Sequence, residues 1–209
     1  MQDIAWDLSK IFIKYNINPT GIVHIGAHEG QEVSIYKNYN NVVWIEANPF
    51  IINRLNNNVK IYNHIVINEA VFDKEIECDF NITNNEQSSS LMELDYHLFA
   101  HPQVKVEKKI KVNTITMVNL IQKYKLNMNN YNFLNIDTQG AELPILKSFE
   151  HYLNNIDYIY VEINIKPLYK NISLLPELDL FLSNNGFERC ETAIHNNVGW
   201  GQGFYLRKK

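Results

Sequence analysis

Residues 21–32 read GIVHIGAHEGQE, and the fold turns on this stretch. Ile22, Val23 and Ile25 make a short apolar run of the kind a buried strand shows. Gly26 and Gly30 break that run, and the chain passes through a glycine turn into a helix-like segment. A second apolar run, VVWI at 42–45, ends in Glu46. A strand, a glycine turn and an acid at the tip of the next strand form the arrangement by which an α/β sheet holds an adenosine-type ligand.

Around this core the rest of the chain alternates. Ile4, Leu8, Ile11, Phe12 and Tyr15 have helical spacing, so residues 1–20 are expected to form an N-terminal helix and a turn. A helix is expected from Gly30 to about Tyr39, and another after Asn48-Pro49, with the proline in the first turn. Further strands fall near His64–Ile67, Phe133–Ile136 and Tyr158–Ile163. Helices fall near Thr116–Tyr124, after Gly140 and over Leu174–Asn184. Residues 75–83 and 108–115 alternate apolar with polar, as half-exposed strands do. The polar stretch Asn84–Ser90 opens an inserted loop region, 84–110, in which Ser88–Ser90 is read as a lid. The end of the chain, from about 187, reads as a closing hairpin. Strands alternating with helices predict a mostly parallel sheet covered on both faces. The terminal hairpin predicts seven strands, with an antiparallel last strand.

The chain has 209 residues, of which 45% are hydrophobic and 20% charged, which fits one globular domain, 1–209. No apolar run approaches the roughly 18–20 residues that cross a bilayer. The opening, MQDIAWDLSKIF, places acids where a secretory signal has a basic start, so a cytoplasmic protein without a membrane partner is expected. Cys78 and Cys190 stand far apart and form no metal spacing. The net charge of −4 argues against nucleic acid as a partner, and Lys105, Lys108, Lys109 and Lys111 are read as the solvated face of an exposed strand. Oligomeric state is left open.

The spacing of the turn discriminates between cofactors. A dinucleotide site calls for G-x-G-x-x-G, whereas here Gly26 and Gly30 are separated by three residues and His28 stands where the second glycine belongs. Its side chain would obstruct a pyrophosphate lying against the backbone. There is no G-x-x-x-x-G-K-[ST], which excludes a P-loop. S-adenosylmethionine carries no phosphate. It calls for close backbone approach, which Gly26, Ala27 and Gly30 offer, and for an acid at its ribose hydroxyls, which Glu46 offers. These features favour S-adenosylmethionine over NAD.

Five elements in order, HIGAHEGQE, WIEANP, NEAV, NIDTQGAELPILKS and YVEIN, resemble the FkbM-type methyltransferases over roughly residues 20–165. The resemblance implies a class I, Rossmann-like methyltransferase fold and transfer of a methyl group from S-adenosylmethionine, usually to oxygen. It implies a small-molecule or glycan acceptor such as a sugar. RNA or protein acceptors, and a cofactor-binding module without catalysis, are the alternatives. The chain departs from the family at His24, where the first strand usually carries an acid that helps to hold the methionine end of the cofactor. A neutral imidazole there still accepts one hydrogen bond.

The cofactor-binding candidates are then His24, Gly26, Ala27, His28 and Gly30 around the turn and Glu46 with Ala47 at the second strand. Glu69 and Ala70 fall at the adenine edge, and Asp137 beside the methyl group. Asp137, at the carboxyl end of a strand, leads the catalytic candidates. Glu162 is expected to pair with it, which would raise one acid into the range of a neutral-pH base, and His28 is the further candidate base. Glu142 is read evenly as a helix-capping or a functional acid. No metal set is assigned, although Mg²⁺ held by Asp137 and Glu162 is kept as a variant.

Overall fold

The protein is represented by a computed structural model, which describes residues 4–208. A 3₁₀ turn at Ile4–Trp6 precedes α1 (Leu8–Lys14), whose first N–H groups are capped by Asp7. There follow β1 (Ile22–Ile25), α2 (Val33–Tyr36), β2 (Val42–Glu46), α3 (Ile52–Val59), β3 (Ile65–Asn68), β4 (Ala70–Val71) and β5 (Glu77–Thr83). The chain continues through α4 (His97–Ala100), β6 (Val106–Ile115), α5 (Met117–Lys123), β7 (Phe133–Ile136) and α6 (Glu142–Lys147). It closes with β8 (Tyr158–Asn164), α7 (Leu175–Asn184), β9 (Phe187–His195) and β10 (Trp200–Arg207).

Seven strands form one sheet in the order β3-β2-β1-β7-β8-β10-β9. Pairing is parallel from β3 to β8, and β10 enters antiparallel between β8 and β9. This is the mixed α/β sheet with an antiparallel last strand that the alternating pattern predicted. Both faces are covered. On one, Val23, Ile45, Leu134 and Val161 pack against Leu120, Leu146 and Leu182 of α5, α6 and α7. On the other, Ile22, Trp44 and Phe133 pack against Ile11, Tyr36 and Leu55 of α1, α2 and α3. β1, β2 and β7 are buried throughout, and therefore read in sequence as continuous apolar runs.

Three expectations are corrected. The helix after the glycine turn is a single turn, Val33–Tyr36, because Gly30 is left-handed (φ +75°) and the chain has not entered helical geometry before Glu32. The region 84–110 is not simply a loop. It contains α4 and the start of β6, which pairs antiparallel with β5 and parallel with β4 in a second, three-stranded sheet. The expected N-terminal helix covers only Leu8–Lys14, and residues 1–3 lie outside the described residues. Among the described residues no helix is long and apolar enough to cross a membrane, and Cys78 and Cys190 are both free thiols.

The glycine turn is fitted between neighbours. The N–H groups of Gly26 and Ala27 both donate to the Ile45 carbonyl, and Asp137 N–H donates to the Ile25 carbonyl. A Cβ on Gly26 would lie 1.8 Å from the Asp137 carbonyl oxygen, and φ there is +82°. Gly26→Ala is therefore expected to lower unfolding free energy by roughly 3 kcal/mol or more, measured by urea denaturation, or to abolish folding.

Candidate active site

The candidate residues cluster at the carboxyl ends of β1, β2, β7 and β8, where two cavities meet. The larger, of about 530 Å³, is lined by His24, Ala27, Glu32, Asn135 and Glu162, with Trp6 and Trp200 also on its wall. The smaller, of about 60 Å³, is lined by Ile45, Glu46, Ala47, Glu69 and Val71. Gly26, His28, Gln87, Asp137 and Gln139 belong to both.

Glu46 shapes the boundary. Its carboxylate accepts the His28 N–H at 2.8 Å and the Asn48 N–H at 2.7 Å. Those bonds hold His28 in a left-handed conformation (φ +45°) that a residue with a Cβ rarely adopts. Burial pushes the Glu46 carboxyl above its ordinary range, and the backbone N–H groups of Asn48, His28 and Ala47 pull it back. One lone pair on each oxygen is used, which leaves capacity for a pair of vicinal hydroxyls. Ala47 lines the small cavity beside it. Glu69 lies on the same wall, but its carboxylate accepts from Lys123 Nζ at 2.5 Å and Tyr124 Oη at 2.8 Å. Gly30 and Ala70 line neither cavity. Gly30 is packed against Leu55 and Val59, and Ala70 pairs with Thr114.

Asp137 and Glu162, expected as a pair, are bridged by a residue the sequence reading passed over. Gln139 Nε2 donates to Asp137 Oδ1 at 2.7 Å and to Glu162 Oε2 at 2.6 Å. Its carbonyl oxygen accepts from Tyr169 Oη at 2.6 Å, which fixes the direction of the amide. Gln139 is itself left-handed (φ +59°), and Ser90 Oγ donates to its backbone oxygen at 2.7 Å. The signal lay inside the DTQGAE element, between the two acids. Burial, followed by the charge of Asp137 and Glu142, pushes Glu162 well above the usual carboxylate range. Glu142 has a structural part. Its carboxylate accepts from Thr138 N–H at 2.9 Å and Gly140 N–H at 3.0 Å, closing the loop before α6.

His28 Nδ1 pairs with the Gln31 amide at 2.7 Å, and its Nε2 is buried without a partner between the two cavities. His28, Glu29 and Glu86 come within metal-ligand spacing of one another. Arg54 already occupies that place, with Nε 3.0 Å from Glu29 and Nη2 2.5 Å from Glu86. The same ion pairs tie the 84–90 segment to α3 across the small cavity. His97, on α4, lines the large cavity and is driven to about 4 by burial and by His101, so it is neutral near pH 7.

The turn bears on the choice of cofactor. Gly26, Ala27, His28 and Gly30 all spend their N–H groups inside the protein. A pyrophosphate calls for free N–H groups at this place. A phosphate-free adenosine compound calls for an acid, and Glu46 has spare acceptor capacity. The methyltransferase FkbM domain matches residues 24–189. The chain belongs to the FkbM methyltransferase family. Its cofactor is S-adenosylmethionine. No curated protein sequence matches the chain. Among solved structures, a candidate RNA methyltransferase of Pyrococcus horikoshii superposes at TM-score 0.52 with 10% identity, over 98% of this chain and 83% of that one. A candidate tRNA (m1A22) methyltransferase of Streptococcus pneumoniae gives 0.53 and 9%, over 97% and 70%. The methyltransferase domain of a bacterial Hen1 protein gives 0.51 and 10%, over 100% and 98%. At these identities the likeness shows the fold. The expectation that nucleic acid is not a partner gains no support from neighbours described as acting on RNA.

The buried acid carries a pH signature. Glu162 sits higher in the folded protein than its ordinary value of about 4.5, so its stabilising contribution is complete below that pH and is lost as pH rises through the folded value. Glu162→Gln removes this loss. Its melting temperature relative to the unaltered protein should therefore climb steadily between about pH 4.5 and pH 8. A difference that is constant across the range would contradict the placement.

Proposed function

We propose that this FkbM domain methylates a hydroxyl oxygen of a neutral, polyhydroxylated acceptor of the sugar type, bound in the 530 Å³ cavity. The supporting observation is the chemistry of its wall. Side-chain amides of Gln87, Gln103, Asn135 and Gln202 face the space together with the indoles of Trp6 and Trp200. Amides donate to and accept from hydroxyls, and indole faces cover the apolar face of a sugar ring. Among the described residues no lysine or arginine lines it, which favours an uncharged acceptor over a phosphate backbone. The four lysines of the basic cluster lie outside that wall. Lys111 pairs with Asp79 at 2.8 Å, Lys109 lies 3.5 Å from Glu93, and Lys108 stacks on Phe50.

S-adenosylmethionine supplies an electrophilic methyl group, and the protein has to align an oxygen with it and remove a proton. Glu46 binds the ribose hydroxyls. Asp137, at the junction of the two cavities, accepts the acceptor's proton. Gln139 holds that carboxylate in place, and the proton held by Glu162 keeps a second negative charge from building beside it. Orientation of the reacting groups can contribute about 7–11 kcal/mol, and the base a further 10²–10⁴-fold or so.

A radiolabelled-methyl screen of saccharides, RNA and peptides tests the acceptor class. Label in saccharides alone is expected, and label in RNA alone would replace this reading with the RNA alternative. With the acceptor found, Asp137→Asn should lower kcat by roughly 10²–10⁴-fold with little change in acceptor KM. An unaltered kcat would remove Asp137 from the reaction.

A further inference from the structure

Two buried polar atoms beside the glycine turn face one another without a partner. His24, on β1, is 2% exposed, and its Nδ1 makes no hydrogen bond. Glu32 stands at the entry to α2, where its side chain caps no N–H group. Its Oε2 is buried and also unpartnered, 3.7 Å from His24 Nδ1. Both residues line the large cavity, and so do Gly26 and Ala27 of the turn.

Proteins rarely leave such atoms unpaired, because each has lost its water without a replacement. A carboxylate oxygen only accepts, and at 3.7 Å the imidazole is too far to donate to it, so the group missing at Glu32 is a donor, and the carboxylate asks for a positive one. The site's layout indicates which ligand brings it. With Glu46 at the ribose and Asp137 at the transferred methyl, the amino-acid end of the cofactor has to run past Gly26 and Ala27 into the large cavity. That end carries a primary ammonium.

We propose that Glu32, with the His24 ring beside it, binds the α-ammonium group of the cofactor's methionine portion. This rests on the placement of the ribose at Glu46. His24 faces the charge as a neutral ring, since burial drives it down to about 4. Burial, with Asp137 adding to it, pushes Glu32 up to about 7, while its own backbone N–H and the charge of His28 draw it back. Tyr36 and Tyr160 also feel the Glu32 charge, and both remain protonated. An ammonium bound there holds Glu32 ionised, so cofactor affinity is coupled to pH near neutrality.

The probes are S-adenosylhomocysteine, which keeps the ammonium, and 5′-methylthioadenosine, which keeps the adenosine and sulfur but lacks the amino-acid end. Binding is measured by calorimetry, with folding checked by melting. Glu32→Gln is expected to weaken S-adenosylhomocysteine roughly tenfold or more and to leave 5′-methylthioadenosine unchanged. The unaltered protein should lose S-adenosylhomocysteine affinity by roughly tenfold between about pH 7.5 and pH 5.5, and the variant should not. Glu32→Asp, which keeps the charge, should retain that pH dependence. Equal affinity of Glu32→Gln and the unaltered protein for S-adenosylhomocysteine, or equal loss of both ligands, overturns the assignment. If the unaltered protein binds neither compound, the ribose placement fails and this assignment fails with it.

Discussion

The structure depends on how β1, β2 and β7 end. Three parallel strands finish side by side, and the chain leaving β1 has to turn within contact distance of the chain leaving β7. Only a residue without Cβ passes there, and Gly26 does so with its N–H on the Ile45 carbonyl. The next peptide is held by the same carbonyl, and the one after by the Glu46 carboxylate. The turn is thus set by β2, not by its own sequence alone. Asp137 owes its position to the same junction, because its N–H closes on Ile25 and its carbonyl abuts Gly26. The glycine turn and the Asp137 carboxylate are two sides of one close approach.

Backbone strain is concentrated along this edge and is held by contacts from elsewhere. His28 and Gln139 are both left-handed without being glycine, at about 1–2 kcal/mol each. Glu46 holds the first, and Ser90 and Tyr169 hold the second. Ser90 belongs to the segment between β5 and β6, and that segment is also tied to α3 through Glu86 and Arg54. The second sheet is therefore coupled to the orientation of the Asp137–Gln139–Glu162 bridge, although none of its strands carries one of those residues.

What was legible in the sequence follows from the same physics. The buried strands announced themselves as apolar runs, and β1, β2 and β7 fall where they were read. The helix after Gly30 was overextended because left-handed geometry at Gly30 consumed residues whose composition suits a helix. The three-stranded sheet was missed as a sheet because exposed strands such as β6 alternate with lysines and gave pattern without partners. In the site, the order of acids and glycines pointed to Asp137, Glu162 and Glu46. Gln139 and Glu32 escaped because a Gln and a Glu beside glycine turns look solvated until the fold buries their polar atoms.

The acids at this edge divide by what their oxygens touch. Glu46 and Glu142 have their carboxylates on backbone N–H groups, and those bonds offset burial while they hold loops in shape. At Glu162, which meets only side-chain amides of Gln139 and Asn164, and at Glu32, burial outweighs the N–H groups present and both carboxyls are pushed upward. The charge of Asp137 adds to the rise at all four. No lysine or arginine among the described residues lines the large cavity to neutralise that density. Such an edge is incomplete by itself, since like charges in a poorly solvated space disfavour one another. It is complemented by a ligand bearing positive charge at two points, a sulfonium and an ammonium. The acids thus favour a positively charged sulfur over a neutral one at the same place.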